Sequence, residues 1–155
     1  MAKKYNDLVT EAKGDTHSFI LWRKQWRAYS GNSLEWQCFK FTKAGLNDVP
    51  RKPGVYAFLV QPRLEVSLEV SYLFYIGKTD RTLRQRSKEY LSDYLRGDGR
   101  PRIINLLSKY KSYLYFACAP TDTPQQVEDT LLAAFIPPGN DKLPVSVRRI
   151  VRAFR

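Results

Sequence analysis

The side chains of this chain that could do chemistry are mostly cationic and phenolic. Lys and Arg number 26 against 15 Asp and Glu, for a net charge of +11. That surplus points to a polyanionic partner, nucleic acid before a membrane surface. An arginine carries a planar fork of N–H donors that fits phosphate oxygens. Arg81, Arg84, Lys88, Arg96, Arg100 and Arg102 form one basic group, and Arg148, Arg149 and Arg152 a second. Together they are the candidate phosphate track, although each alone reads equally well as a solvated charge. Glu128 flanks Val127, Leu131 and Phe135, so its carboxylate can sit at the edge of a core. Zinc chemistry is disfavoured. His17 is the only histidine, and Cys38 and Cys118 lie far apart and outside any C-x-x-C pair. His17 reads as a surface or capping residue, and the cysteines as free thiols. Trp22 and Trp26, interleaved with Arg23 and Arg27, could contact nucleic acid, but core packing is the commoner use of such tryptophans.

These residues need a scaffold, and the hydrophobic pattern supplies one. Residues 5–13 and 18–27 predict short helices, 36–41 a short strand and 43–53 a polar connector. The runs 55–60 and 72–77 are apolar and strand-like. Between them Leu64-Glu65-Val66-Ser67 repeats at once as Leu68-Glu69-Val70-Ser71, the alternation of a half-buried strand. Gln61-Pro62-Arg63 marks the hairpin turn. Residues 82–95 switch to a helical period with a stripe of Leu83, Tyr90, Leu91, Tyr94 and Leu95, and Gly97-Asp98-Gly99 ends it. A second helix follows at 103–109 and a third core strand at 112–117. Thr123-Pro124-Gln125-Gln126 starts the last core helix, with Thr123 as N-cap and Gln126 completing a capping box. The expected fold is α+β, a small three-stranded β-sheet flanked by helices. Residues 1–50 are an N-terminal extension packing on or adding to the domain, 51–142 the compact domain, and 143–155 a basic tail with room for a short helix.

Gly54-Val55-Tyr56 and Tyr75-Ile76-Gly77 sit on the first two core strands. The pair resembles the signature of the GIY-YIG nuclease family, with Val in the middle of the first triplet. The stretch Lys78-Thr79-Asp80-Arg81-Thr82-Leu83-Arg84-Gln85-Arg86 is similar to the family's approach to an essential arginine. Arg86 is the candidate, and Arg84 the alternative two residues earlier. Tyr90 falls where relatives carry His or Tyr. Glu128 falls where they carry a metal-binding glutamate, and Asn140 resembles their terminal asparagine. The resemblance covers residues 53–142 or so. Lys78 and Tyr90 bring it nearest to the incision nucleases of bacterial nucleotide excision repair. The segment between the two triplets is longer than the family's, and residues 1–50 match no family pattern.

The resemblance implies a metal-dependent endonuclease that hydrolyses DNA. Its catalytic set would be Tyr56, Tyr75, Lys78, Arg86, Tyr90, Glu128 and Asn140. Glu128 would hold Mg²⁺ or Mn²⁺, since one carboxylate plus waters and substrate phosphate suits such an ion. Asn140 would orient that carboxylate or hold the following loop. Tyr56 would be the general base. A free tyrosine, pKa about 10, is a poor base at pH 7, and lowering that value by three units needs roughly 4 kcal/mol. The charge of Lys78 or a metal-bound water is the expected source. The expected partner is DNA, with no membrane and no small-molecule cofactor. A monomer is expected, with pairing on the substrate left open. No run approaches the ~18–20 apolar residues of a membrane span, and the N-terminus lacks a secretory signal, so the expected location is cytoplasmic. The alternative is a module that keeps this fold and binds nucleic acid without cutting it.

Overall fold

A computed structural model describes residues 4–31, 33–63 and 69–154. Its centre is an antiparallel sheet. Strands β2 (Gly54–Val60), β3 (Tyr72–Thr79) and β4 (Leu114–Pro120) grow from the three apolar runs. A further strand, β1 (Gln37–Lys40), pairs antiparallel with β4 through Phe39 opposite Phe116. The sheet therefore has four strands in the order β1-β4-β2-β3, not the three expected. Of the predicted alternating strand at 64–71, residues 64–68 lie outside the described residues, and 69–71 are not in a strand.

Both faces of the sheet are covered, which is why its strands read as continuous apolar runs rather than alternating ones. Tyr56, Phe58 and Val60 point to one face, under α3 (Leu83–Arg96) and α4 (Pro101–Tyr110). Val55 and Ala57 point to the other, under α5 (Pro124–Phe135) and α6 (Val145–Val151). The connector expected to be polar contributes to the first face. A 3₁₀ turn at Gly45–Asp48 leaves Leu46 and Val49 fully buried. On the second face, Val147 and Val151 of α6 are buried, so the basic C-terminal segment is anchored in the core.

Two local devices aim the site. Phe58 pairs with Tyr75 but Leu59 with Leu73, leaving Phe74 as the extra residue of a β-bulge. A bulge re-aims the residues beside it, and here Phe74 and Tyr75 both join the first face. Opposite Tyr56 stands Gly77. A β-carbon there would lie 2.5 Å from the Tyr56 ring, so only glycine lets the phenol lie across β3.

Helix α3 starts at Thr82, whose hydroxyl accepts from the Gln85 amide while the Gln85 side chain reaches back to Thr82. It ends at Gly97, which takes the left-handed conformation common at helix C-termini. Its inward positions are Leu83, Ser87 and Tyr90, whereas Leu95 is 70% exposed and not part of the stripe as expected. The capping box expected at Thr123 is absent. The Thr123 side chain makes no capping bond, and its N–H bonds the Thr121 hydroxyl instead.

The N-terminal extension forms α1 (Tyr5–Gly14) and α2 (Arg23–Ala28). Helix α2 is too short to present both tryptophans on one buried face. Trp22 packs against the second core face, and Trp26 is 42% exposed. His17 sits edge-on against Phe74, with its Nε2 2.7 Å from the Tyr110 hydroxyl. Among the described residues no helix is long and apolar enough to cross a membrane.

Candidate functional site

The phenols of Tyr56 and Tyr90 meet beneath the first helix layer, their hydroxyls 2.9 Å apart. Tyr56 comes from β2 and Tyr90 from the inward face of α3. One turn earlier on α3, Arg86 closes the cluster. Its Nε donates to the Tyr56 hydroxyl at 3.2 Å and its Nη2 to the Tyr90 hydroxyl at 3.1 Å. Its Nη1 donates to Glu89 at 3.1 Å, and its guanidinium also lies 4.4 Å from the centre of the Tyr90 ring. Glu89 is in turn gripped by both terminal nitrogens of Arg81. Arg86 is thus held on three sides, while one N–H on each terminal nitrogen stays available to an anion.

Tyr56 and Arg86 of this cluster line a cleft of about 950 Å³ that also takes in Tyr75, Lys78, Arg100 and Arg102, while Tyr90 stands behind them. Helix α5 contributes Glu128, Asp129 and Gln125, and the loop after it Gly139 to Lys142. Strand alternation sends Tyr56 and Gly77 to one face and Lys78 to the other, beside α5. The cleft therefore opens along β3, the edge strand, where groups from both faces meet.

The edge of β3 does not remain an open row of backbone groups. The Asn140 side chain accepts from the Ile76 N–H at 2.9 Å and donates to the Ile76 carbonyl at 2.7 Å. The Gly139 N–H donates to the Phe74 carbonyl at 2.7 Å. Asn140 is buried and acts as a clip that seats the cleft's lower loop on the sheet. These bonds hold the loop on the sheet, one of the two roles expected for Asn140.

Electrostatics differ across the cleft. Burial raises the pKa of Tyr56, and proximity to Tyr75 adds to this, while Arg86 and the hydrogen bond from Tyr90 oppose it. Tyr75 and Tyr90 are also raised, chiefly by burial. Burial disfavours the charge on Arg86, but the oxygens of Tyr56, Tyr90 and Glu89 outweigh it and keep the guanidinium firmly protonated. The positive side chain beside Tyr56 is thus Arg86, not the Lys78 expected from the sequence. Lys78 lies on the opposite face, 2.7 Å from Asp80. Glu128 is half-buried. Burial raises its pKa, Asp129 and Asp80 add to this, and Lys78 and Arg100 counter it. Among the described residues its carboxylate has no hydrogen-bond or ion-pair partner.

The basic candidates separate into four groups. Arg100, Arg102 and Arg148 line the cleft, and Arg152 lines a smaller one beside it. Arg100 reaches the Tyr75 hydroxyl at 3.5 Å, Arg102 pairs with Asp141, and Arg148 Nε bonds the Leu143 carbonyl. Arg81 is engaged with Glu89, and Arg96 with Asp93 and Asp98. Lys88 and Arg149 are exposed outside the cleft. Arg84 points away, its Nε on the Val49 carbonyl at 2.7 Å. Of the two arginines competing in the sequence, Arg86 reaches the tyrosines and Arg84 braces the 3₁₀ turn region. Sequence reasoning missed Lys142, Asp129, Gln125 and Glu89. Only Glu89 carried a readable signal, being one helical turn from Arg86.

The one cleft carboxylate free to take a divalent ion is Glu128, half-buried and without a hydrogen-bond or ion-pair partner among the described residues. No group of three or more His, Cys, Asp or Glu able to hold a metal occurs among the described residues. Any such ion would take Glu128 as its protein ligand and keep most of its water, a habit of Mg²⁺ more than of Zn²⁺. Compared with family models, with curated proteins and with solved structures, the chain matches none.

Proposed function

We propose that this chain is a metal-dependent phosphodiester hydrolase acting on nucleic acid. More narrowly, it is an endonuclease of the GIY-YIG kind that cuts DNA. The observation that carries the reading is the Tyr56–Arg86–Tyr90 cluster, whose Tyr56 and Arg86 line a basic cleft together with the unpartnered Glu128. Packing alone accounts for buried tyrosines, but not for an arginine bonded to two of them at the mouth of a cleft.

Each group has a task in such a reaction. Arg86 directs its remaining N–H donors at the scissile phosphate and offsets the charge that grows there. A metal ion on Glu128 would supply further charge neutralisation and a more acidic bound water. Tyr56 accepts the proton of the attacking water when it is ionised, and Arg86 and Tyr90 are the donors that stabilise its phenolate. Tyr75 and Arg100 flank the entering strand, and Lys78 stands beside Glu128 on the second face. The alternative, a module that binds without cutting, draws on the burial of Tyr56, which raises its pKa and disfavours the basic phenolate.

The test is incubation of the protein with supercoiled plasmid and with duplex, single-stranded, flap and branched DNA, in Mg²⁺, in Mn²⁺ and in EDTA. Metal-dependent cleavage of at least one substrate is the expected result. Tight binding with no cleavage in any condition overturns the enzyme in favour of the binding module.

A further inference from the structure

A second, smaller cleft of about 540 Å³ adjoins the first between the N-terminal end of α4 and α6. Arg102, Lys142, Arg148 and Arg152 line it, and Asp141 is its one carboxylate. The two clefts share Arg102, Asp141, Lys142, Leu143 and Arg148 as lining, so they are continuous. Among the described residues, neither Lys142 nor Arg152 has an ion-pair partner. Among the described residues Arg148 is engaged only through Nε, which leaves its terminal nitrogens without a partner. Four cations thus converge where a single carboxylate, paired with Arg102, answers them. Asp141 is 74% exposed and belongs to the loop clipped onto β3 by Asn140.

We infer that this notch is a second phosphate subsite, which takes the backbone phosphate flanking the scissile one on the same DNA strand. The inference rests on the reading that the main cleft takes a DNA phosphodiester. Asp141 acts there as a stand-in anion. It occupies Arg102 while the subsite is empty, and an entering phosphate exchanges with it. A phosphate diester, like a carboxylate, presents two anionic oxygens to a guanidinium, so it can take the place of Asp141 on Arg102. The exchange also filters ligands. An isolated anion must compete with Asp141 by itself, whereas a strand already seated in the main cleft presents its next phosphate intramolecularly, at high effective concentration.

The test is binding of a fluorescein-labelled DNA duplex, followed by anisotropy in EDTA across a salt series. Asp141→Asn should bind roughly threefold tighter, the scale of releasing one exposed ion pair. Lys142→Ala/Arg152→Ala should bind at least about tenfold more weakly at low salt, with a slope of log affinity on log salt shallower by about two contacts. Neither of these two side chains holds the fold, so the variant reports binding and not unfolding. Lys40→Ala/Lys43→Ala, which removes equal charge from outside both clefts, should stay within about twofold of the parent. Equal losses in the two double variants, or an Asp141→Asn protein that binds no tighter, overturn the subsite. EDTA silences any metal-dependent chemistry, so these readouts do not depend on cleavage. A parent protein that shows the expected pattern yet never cuts plasmid in Mg²⁺ upholds the subsite and overturns the nuclease reading alone.

Discussion

At the residue scale, Tyr56, the proposed base, sits in an environment that opposes its ionisation. Burial holds its phenol above the usual tyrosine value, so the neutral form is favoured at neutral pH. The sign of the pH effect follows. If the phenolate is the base, the rate should climb close to tenfold per pH unit from about 7 to 9, so long as the fold persists. A rate flat over that range would remove Tyr56 as the titrating base. Tyr56→Phe should lower the rate by at least about 100-fold, the usual scale for losing a general base. The two neighbouring arginines separate cleanly in the same assay. Arg86→Ala should be as severe as Tyr56→Phe. Arg84→Ala should lower stability by about 1 to 2 kcal/mol in urea melts, by stranding the Val49 carbonyl, with little effect on rate. The opposite ranking would transfer the phosphate role to Arg84. The ambiguity between them was built into the sequence. Two arginines two residues apart on a helix point about 200° apart, and nothing in their own identity says which faces inward. Ser87 and Tyr90 settle it by their burial, which fixes the inward face of α3.

At the element scale, the long apolar runs made β2, β3 and β4 legible, because strands covered on both faces carry an unbroken hydrophobic signal. Helix α3 was legible from its period and its glycine stop, although its capping box at Thr82 and Gln85 went unread while one was expected at Thr123. Less could be read where an element is short. Leu46 and Val49 are buried by a single 3₁₀ turn, too short to show any period, and β1 displays nothing in its sequence that names β4 as its partner. The lower wall of the cleft was illegible for a different reason. Residues 139–142 are positioned by pairing with the far edge of β3, which local pattern does not record. Asn140 makes that pairing, and its two bonds to Ile76 have a consequence. Asn140→Ala leaves a buried N–H and carbonyl without partners, and should cost about 2 to 4 kcal/mol in urea unfolding. Activity should fall as well, since Lys142 and Asp141 move with the loop. An Asn140→Ala protein of unchanged stability with activity abolished would instead place its amide in the chemistry.

At the scale of the whole molecule, the described residues hold one Tyr56–Arg86–Tyr90 cluster, and its Tyr56 and Arg86 share a basic cleft with Glu128. The strands of a duplex run antiparallel, so one fixed site meets one of them in productive orientation, and a double-strand break needs two protomers related by a two-fold axis or two successive events. Nicking should therefore precede linearisation. The most direct measurement of the central claim is a time course on supercoiled plasmid in Mg²⁺ at dilute enzyme, run in parallel with Glu128→Ala. The parent protein should accumulate open circles before any linear product. The Glu128→Ala protein should bind DNA and unfold like the parent, yet cut more slowly by at least about 100-fold, the scale expected when charge stabilisation of the transition state is lost. Full cleavage by Glu128→Ala, or linear DNA formed directly with no nicked intermediate, would contradict the account.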